Sequence, residues 1–179
     1  SYDLNNVPRD YAETLNKYSR NALVSDIYEP GSTFKVVTAA ANIEEYLNGN
    51  TKAFSNSYVF NGSRTRSVDG TKIKCWSDHS NGKHSNQNLA AALNNSCNPC
   101  FTDIALSLGS QTFYKYLKNF GFGNVTGLDF NGEALGMLVP QTSVRDCDLA
   151  RIGFGQTVAV TGMQLACAVA AAVNGGNYY

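Results

Sequence analysis

The 179-residue sequence has no excess of charge and no long apolar run. Its 14 Lys and Arg residues balance 14 Asp and Glu residues. A nucleic-acid-binding domain normally carries a basic excess, and a protein held on anionic lipid by charge alone needs one too, so neither class is expected. The longest apolar run, Leu165–Val173, is much shorter than the roughly 20 residues that cross a bilayer as a helix.

Cysteine is also too sparse to build a disulfide-stapled miniprotein. The chain has 5 cysteines, an odd number, and they are spread widely. This usage fits a protein that does not rely on disulfides, or one from a reducing or anaerobic setting, and the sequence leaves both open. Hydrophobic residues make up 43% of the chain, which is enough for a buried core.

Cap and turn residues divide the chain mainly into helices. Ser, Thr and Asn begin helices, Gly ends them, and Pro is favoured at the first helical position. These signals predict helices over 10–18, 32–46, 86–94 (capped by Ser85), 99–108, 111–120 and 161–173. Strand-like segments at 58–60 and 72–75 flank the turn dipeptides Asn61-Gly62 and Asp69-Gly70. The fold is therefore predicted to be mainly α with a small β ribbon.

The segment Pro30-Gly-Ser32-Thr-Phe-Lys35 carries the strongest chemical signal. A serine hydroxyl needs a nearby base to act as a nucleophile at neutral pH. Positions i and i+3 of a helix share a face, so Lys35 can lie beside Ser32. A desolvated lysine loses its proton more easily and can serve as that base. Alone, however, Ser-x-x-Lys is weak, because a capping serine followed by a solvated lysine occurs in many helices.

Two further segments make the Ser32–Lys35 pattern more specific when all three are considered together. Asn95-Ser96-Cys97-Asn98 precedes a predicted helix and would by itself be read as a helix cap. The third segment is Gly153-Phe-Gly-Gln156 with the helix that follows it, ending on Asn174-Gly175-Gly176. With Cys75-Trp76 ahead of a His-containing loop, these segments stand in the same order as in one family.

The chain resembles the transpeptidase domain of the class B penicillin-binding proteins over essentially its whole length, 1–179. The segment ending at Lys35 resembles the first motif of that family with its flanks, and Ser96-Cys97-Asn98 resembles its Ser-x-Asn motif. The resemblance implies the helical lobe of the α/β serine β-lactamase/D,D-transpeptidase fold, with the central sheet strands mostly missing. Residues 1–179 would then form a partial penicillin-binding transpeptidase domain.

The resemblance also implies a role for each matching residue. Ser32 would attack the carbonyl between two D-alanines of a peptidoglycan stem peptide, and Lys35 would take its proton. Ser96 would relay a proton to the leaving amine, and Asn98 would bind the peptide backbone. Trp76 would either line the cleft as a substrate-binding residue or be a packing residue, and both remain open. β-Lactams would mimic D-Ala-D-Ala and leave Ser32 acylated, while no nucleic acid and no cofactor is expected.

One motif of the family, Lys followed by Ser or Thr and then Gly, does not occur in the sequence. In the family it lies on a strand beyond the Asn-Gly-Gly turn and supplies part of the oxyanion hole. Residues 1–179 alone are therefore expected to acylate little or not at all. The resemblance further implies a parent protein anchored in the bacterial cytoplasmic membrane by an N-terminal helix outside this chain. Its domain would work on the extracytoplasmic face, with cell-wall synthesis proteins as further partners.

Other readings remain open at this stage. A serine β-lactamase shares the first motif but hydrolyses the acyl-enzyme, and a β-lactam sensor or a cell-wall partner-binding domain would not turn over. A zinc site built from Cys75, His79, Cys97 and Cys100 has tolerable spacing. Because Cys97 falls inside the second motif, no metal is expected. His79 and His84 are predicted to be ordinary loop residues.

Overall fold

A computed structural model describes residues 20–76, 84–130 and 132–178. Its helices are α1 (Ala22–Ser25), α2 (Lys35–Leu47), α3 (Leu89–Asn94), α4 (Asn98–Asn119), α5 (Asp146–Ile152) and α6 (Gly162–Val173), and a 3₁₀ turn, Gly31–Phe34, leads into α2. Its strands are β1 (Ile27–Tyr28), β2 (Arg66–Val68), β3 (Thr71–Ile73), β4 (Met137–Leu138) and β5 (Val158–Thr161). The predicted helix-rich fold with little sheet is confirmed; the helix predicted over 10–18 lies outside the described residues.

Helix α4 runs through the centre of the core and packs against α2 and α5. Phe101, Ile104, Ala105 and Leu108 recur at helical spacing and are buried, so this face is removed from water all along the helix. Each large apolar side chain that is buried in this way contributes about 1.5–3 kcal/mol. The helix is interrupted at Gly109, where φ is 77°, as the predicted break between two helices required.

Strands β2 and β3 form the ribbon, an antiparallel hairpin that turns at Asp69-Gly70. Both turn residues have positive φ, 48° and 76°, which is the conformation that this dipeptide favours in a tight hairpin. The strand predicted over 58–60 was wrong. Phe60 makes only an isolated bridge to Gln87, and its ring packs against Phe54 and Tyr58 instead.

A second sheet was not predicted. Its strand order is β1-β5-β4, and both neighbours pair antiparallel with β5. Strands β1 and β4 have only two residues each, and the Val-Ala-Val-Thr sequence of β5 does not alternate polar and apolar residues, so periodicity gives no signal for this sheet. The pairing is important for the site because it holds the chain before Ser32 against the segment that follows Gly153-Phe-Gly-Gln156.

Of two predicted helix caps, the one at the start of α6 is observed and the one at the start of α3 is not. Thr161 and Gln164 form the predicted capping box of α6. Helix α3, in contrast, begins after Asn88, whose side chain accepts the Ala91 N–H; the predicted cap at Ser85 was wrong because Gln87 is engaged in the bridge to Phe60. No helix among the described residues is long and apolar enough to cross a membrane.

Candidate active site

Ser32 and Lys35 are brought together by the 3₁₀ turn at the start of α2. A 3₁₀ helix has three residues per turn, so side chains at i and i+3 eclipse each other. Lys35 Nζ lies 2.9 Å from Ser32 Oγ. Gly31 enters the turn with φ of 57°, a conformation that glycine adopts at little cost. The helix predicted to begin at Ser32 thus begins as this tighter turn and becomes α-helical at Lys35.

The second motif lies in the sharp connection between α3 and α4. Ser96 has φ of 50°, which is unusual for a residue with a side chain and is typical of strained functional positions. Its N–H donates to Leu93 O at 3.0 Å. Asn98 is the first residue of α4. This turn points both motif side chains toward Lys35.

Four oxygen atoms surround the Lys35 amine. Besides Ser32 Oγ, they are Ser96 Oγ at 2.8 Å, Ser96 O at 3.0 Å and Asn98 Oδ1 at 2.7 Å. Ser96 Oγ also donates to Ser32 Oγ at 2.7 Å. The structure therefore joins Ser32, Lys35, Ser96 and Asn98, all four motif residues, in one hydrogen-bonded group.

The chemistry of these oxygens fixes how the amine is oriented. A carbonyl and an amide oxygen can only accept hydrogen bonds, whereas a hydroxyl can donate or accept. Ser96 O and Asn98 Oδ1 therefore take two amine hydrogens in either protonation state. In the neutral amine, the lone pair is left facing the hydroxyls of Ser32 and Ser96. The arrangement thus aims a base at the nucleophile.

Burial favours the neutral form of the Lys35 amine. The Lys35 side chain is fully buried, and desolvation lowers its pKa from 10.5 to about 8. Negative charge on the thiols of Cys97, Cys75 and Cys100 acts in the opposite direction and raises the pKa, though less. Lys35 Nζ also lies 5.7 Å from the centre of the Phe101 ring, which the sequence analysis did not assign to the site.

The third segment supports the nucleophile turn from behind. Gly155 O accepts the Gly31 N–H at 2.9 Å, and Gly153 O accepts the Thr38 hydroxyl at 2.8 Å. Gly155 has φ of 84°, and a Cβ there would collide with Gly31 O. A side chain at Gly155 is therefore excluded by both conformation and space. From the sequence, this glycine is recognisable only as part of the third segment.

Glu29 is a second residue that the sequence analysis missed. Its Oε1 accepts the N–H of Thr157 at 2.8 Å, and Thr157 itself has φ of 60°. An acidic residue two positions before a Gly-Ser dipeptide has many possible roles, so the sequence held no specific signal for this contact.

Trp76 lies beside the second motif rather than in the core. Its side chain is 70% exposed, and its indole N–H donates to Asn95 O at 2.8 Å. This hydrogen bond places the ring next to the turn that carries Ser96. The exposure shows that Trp76 is not a core packing residue, and its substrate-binding role stays a prediction.

Two cysteines and a histidine meet directly behind the second motif. The ligand-type atoms of Cys75, His84 and Cys97 all lie within 4.8 Å of one another. His84 lies in a turn, as predicted, but its side chain is buried; His79 lies outside the described residues. Hydrogen bonding to Cys100 lowers the pKa of Cys97, and the same contact raises the pKa of Cys100.

Comparison with known proteins accounts for this arrangement. The chain matches the family model of the penicillin binding protein transpeptidase domain over residues 2–179. The chain belongs to this family. The resemblance inferred from the motifs, to the class B penicillin-binding proteins, is thereby confirmed.

Relatives of this transpeptidase-family chain are proteins of sporulation and peptidoglycan synthesis. It is 41% identical over 173 residues to stage V sporulation protein D of Bacillus subtilis. The aligned region covers 96% of this chain and 26% of the relative. It is 30% identical over 161 residues to the peptidoglycan D,D-transpeptidase FtsI of Buchnera aphidicola, covering 89% and 26%. The chain thus spans about a quarter of the length of the curated relatives it matches.

Solved structures share the fold of this penicillin-binding-protein domain. A peptidoglycan synthetase from Bifidobacterium adolescentis superposes with a TM-score of 0.76 at 27% identity, covering 88% of this chain and 27% of that one. The transpeptidase domain of penicillin-binding protein 3 from Burkholderia pseudomallei gives a TM-score of 0.75 at 23% identity, covering 86% and 44%. The fold predicted from the motifs is confirmed.

Proposed function

We propose that the full-length protein is a serine-type D,D-transpeptidase that cross-links peptidoglycan stem peptides through an acyl-Ser32 intermediate. The observation that carries this proposal is the Lys35 amine, which is buried and hydrogen-bonded to the hydroxyls of both Ser32 and Ser96. The names of the relatives support the same activity, since several are peptidoglycan D,D-transpeptidases.

Acylation begins with the neutral Lys35 amine. It removes the Ser32 proton while Ser32 Oγ attacks the carbonyl between two D-alanines, and the electron pair moves to the carbonyl oxygen. The tetrahedral intermediate collapses to an ester of Ser32. The leaving D-alanine amine takes its proton from the Ser96 hydroxyl, which is in turn reprotonated by the Lys35 ammonium 2.8 Å away.

Transfer reverses these proton movements. The amine of a second stem peptide attacks the Ser32 ester and loses a proton to the Lys35–Ser96 pair. Ser32 leaves as a hydroxyl, and a new amide joins the two peptides. Every proton that Lys35 accepts is therefore returned within one cycle, so no cofactor is needed for this chemistry.

Substrate recognition falls to Asn98 and Trp76. The Asn98 amide holds Lys35 through Oδ1, and we assign its NH₂ group to a carbonyl of the stem peptide. The exposed indole of Trp76 forms one wall of the peptide cleft. β-Lactams bind in the same place as D-Ala-D-Ala analogues and leave Ser32 acylated. The substrate lies outside the bacterial cytoplasmic membrane, so the proposal places the domain there, in contact with proteins of cell-wall synthesis.

Intact mass spectrometry after incubation with benzylpenicillin tests the proposal. The full-length protein is expected to gain one penicilloyl adduct, and a Ser32→Ala variant is expected to gain none. An adduct that is lost rapidly while the drug is hydrolysed would instead identify a β-lactamase. A folded protein without any adduct would contradict acyl-serine chemistry and leave cell-wall partner binding as the function.

A further inference from the structure

A group of metal-ligand type lies next to the proposed catalytic residues and includes Cys97, the middle residue of the second motif. Cys75 Sγ and His84 Nδ1 are 3.1 Å apart, and these two atoms and Cys97 Sγ lie within 4.8 Å of one another. The three residues come from three separate parts of the chain: the end of the ribbon, the segment before α3, and the cap of α4. Folding therefore brings them together.

We propose that Cys75, His84 and Cys97 bind a divalent cation of the thiolate-preferring class, with zinc as the ion that fits best. Two sulfurs and an imidazole nitrogen are the ligands that zinc takes in tetrahedral sites, whereas Mg²⁺ and Ca²⁺ prefer oxygen. The proposal stands on the geometry of these side chains, and it does not depend on the proposed transpeptidase activity.

The surroundings match those of an enclosed structural site. Cys97 is fully buried and His84 is 6% exposed, while Cys75 is half-buried. Gly62 packs so closely over Cys97 Sγ that a Cβ there would collide with the sulfur. The space between Gly62 and Cys97 is therefore too small for an organic ligand. A single metal ion is small enough to fit among the three side chains.

Cys100 stands next to Cys97, although its sulfur is not among the three ligand atoms that lie within 4.8 Å of one another. It exchanges a hydrogen bond with Cys97, and its sulfur accepts from Gln87 Nε2 at 3.7 Å. Cys97 and Cys100 have the two-residue separation that is common between zinc-binding cysteines.

Occupancy of the site would act on the second motif. Cys97 lies between Ser96, which holds a positive φ, and Asn98. An ion bound to Cys97 would tie this turn to the ribbon through Cys75 and to the segment before α3 through His84. We therefore expect the metal to stabilise the fold and to fix the turn from which Ser96 and Asn98 reach Lys35.

A cobalt titration tests the site without any variant. The full-length protein, reduced and stripped with a chelator, is titrated anaerobically with Co²⁺. We expect a thiolate-to-cobalt charge-transfer band and tetrahedral d–d bands that saturate at one equivalent, and that disappear when Zn²⁺ is added. A protein whose circular dichroism shows the folded, helix-rich chain but which shows no thiolate–cobalt band would overturn the proposal.

Matched variants locate the site. Cys75→Ser and His84→Ala are expected to weaken zinc binding at least tenfold, since each removes one ligand. Cys167→Ser, which changes a half-buried cysteine on α6 outside the group, is expected to bind as the unchanged protein does. Equal affinity in all three variants would contradict the assignment. If the ligand variants fail to fold, the cobalt titration of the unchanged protein still decides.

Discussion

At the residue scale, the proposed mechanism makes the protonation of Lys35 govern whether Ser32 can react. Burial lowers the pKa of Lys35 from 10.5 to about 8, so most of the amine is still protonated at neutral pH. Only the neutral form can accept the Ser32 proton. Because the neutral fraction of a base increases as the pH rises through its pKa, the reaction rate should increase with pH.

The rate of Ser32 acylation is therefore expected to rise with pH and to level off above about 8. Below that value it should fall about tenfold for each pH unit. The second-order rate constant for benzylpenicillin, measured on the full-length protein by quenched-flow mass spectrometry, gives the profile. The protein is kept reduced, and its metal content is kept the same in every buffer. A rate that does not change with pH would exclude Lys35 as the base.

Ser96 combines a chemical role with backbone strain, and two substitutions separate them. Ser96→Ala removes the hydroxyl that lies 2.7 Å from Ser32 Oγ but keeps the Lys35 contact with the backbone carbonyl. Loss of a proton-transfer group typically costs about 10²–10⁴-fold, so we expect a loss of this size in the acylation rate.

Ser96→Gly is the matched control for strain. It also lacks the hydroxyl, and we expect it to be as slow as Ser96→Ala. Glycine adopts the φ of 50° without steric cost, so Ser96→Gly should be more stable than Ser96→Ala by about 1 kcal/mol in urea unfolding. Normal acylation by either variant would argue against proton relay through Ser96.

At the scale of elements, the close approach of two turns holds the nucleophile in place. The 3₁₀ turn and the segment after α5 meet at Gly31 and Gly155, with the backbones joined by a hydrogen bond. Gly155→Ala would bring a Cβ into Gly31 O and close to Phe34 Cβ. We expect this variant to lose several kcal/mol of stability, about 3 or more, and to acylate slowly because the turn before Ser32 is displaced.

Gly49→Ala distinguishes that collision from strain alone. Gly49 has a similar φ of 80°, but a Cβ there would meet nothing within 4 Å. We expect this variant to lose only about 1–2 kcal/mol, the ordinary cost of a left-handed conformation, and to acylate at the normal rate. Equal losses in urea midpoint for the two variants would show that the contact with Gly31 is unimportant.

Elements whose signals are local were predicted well, and those that depend on partners were not. The box of Thr161 and Gln164, the turn at Asp69-Gly70 and the break at Gly109 all follow from the conformations that those residues prefer. The strand at 58–60 and the cap at Ser85 failed together, because the bridge between Phe60 and Gln87 determines both regions.

The site was predicted to a similar extent. Residue spacing suggested Ser32 and Lys35, but only the family resemblance paired them with Ser96 and Asn98, which lie 61 and 63 residues beyond Lys35. Local propensity does not encode contacts at such separations. The approach of Gly155 to Gly31 and the burial of His84 likewise arise from tertiary packing, which no short-range pattern reports.

At the scale of the whole molecule, one ion pair joins the ribbon to the helical core. Arg66 Nε and Nη2 each lie 2.6 Å from an oxygen of Asp103 on α4. The pair is bidentate and partly buried, with 18% and 27% of the side chains exposed. Such geometry is stronger than that of an ordinary surface ion pair. The ribbon leads into Cys75 and Trp76, so this contact holds the segment that carries these two residues against the core.

Arg66→Ala is expected to loosen the ribbon without abolishing acylation. Removing the guanidinium leaves a partly buried Asp103 without its charged partner, which should cost about 1–3 kcal/mol. Hydrogen exchange should accelerate in β2 and β3 while α2 and α4 stay protected, because α4 packs mainly against α2 and α5 and only slightly against the ribbon. The Arg64→Ala variant carries the same change in charge two residues away and should leave exchange in the ribbon slow. Equal acceleration in both variants would show that net charge, rather than the contact with Asp103, determines how firmly the ribbon is attached.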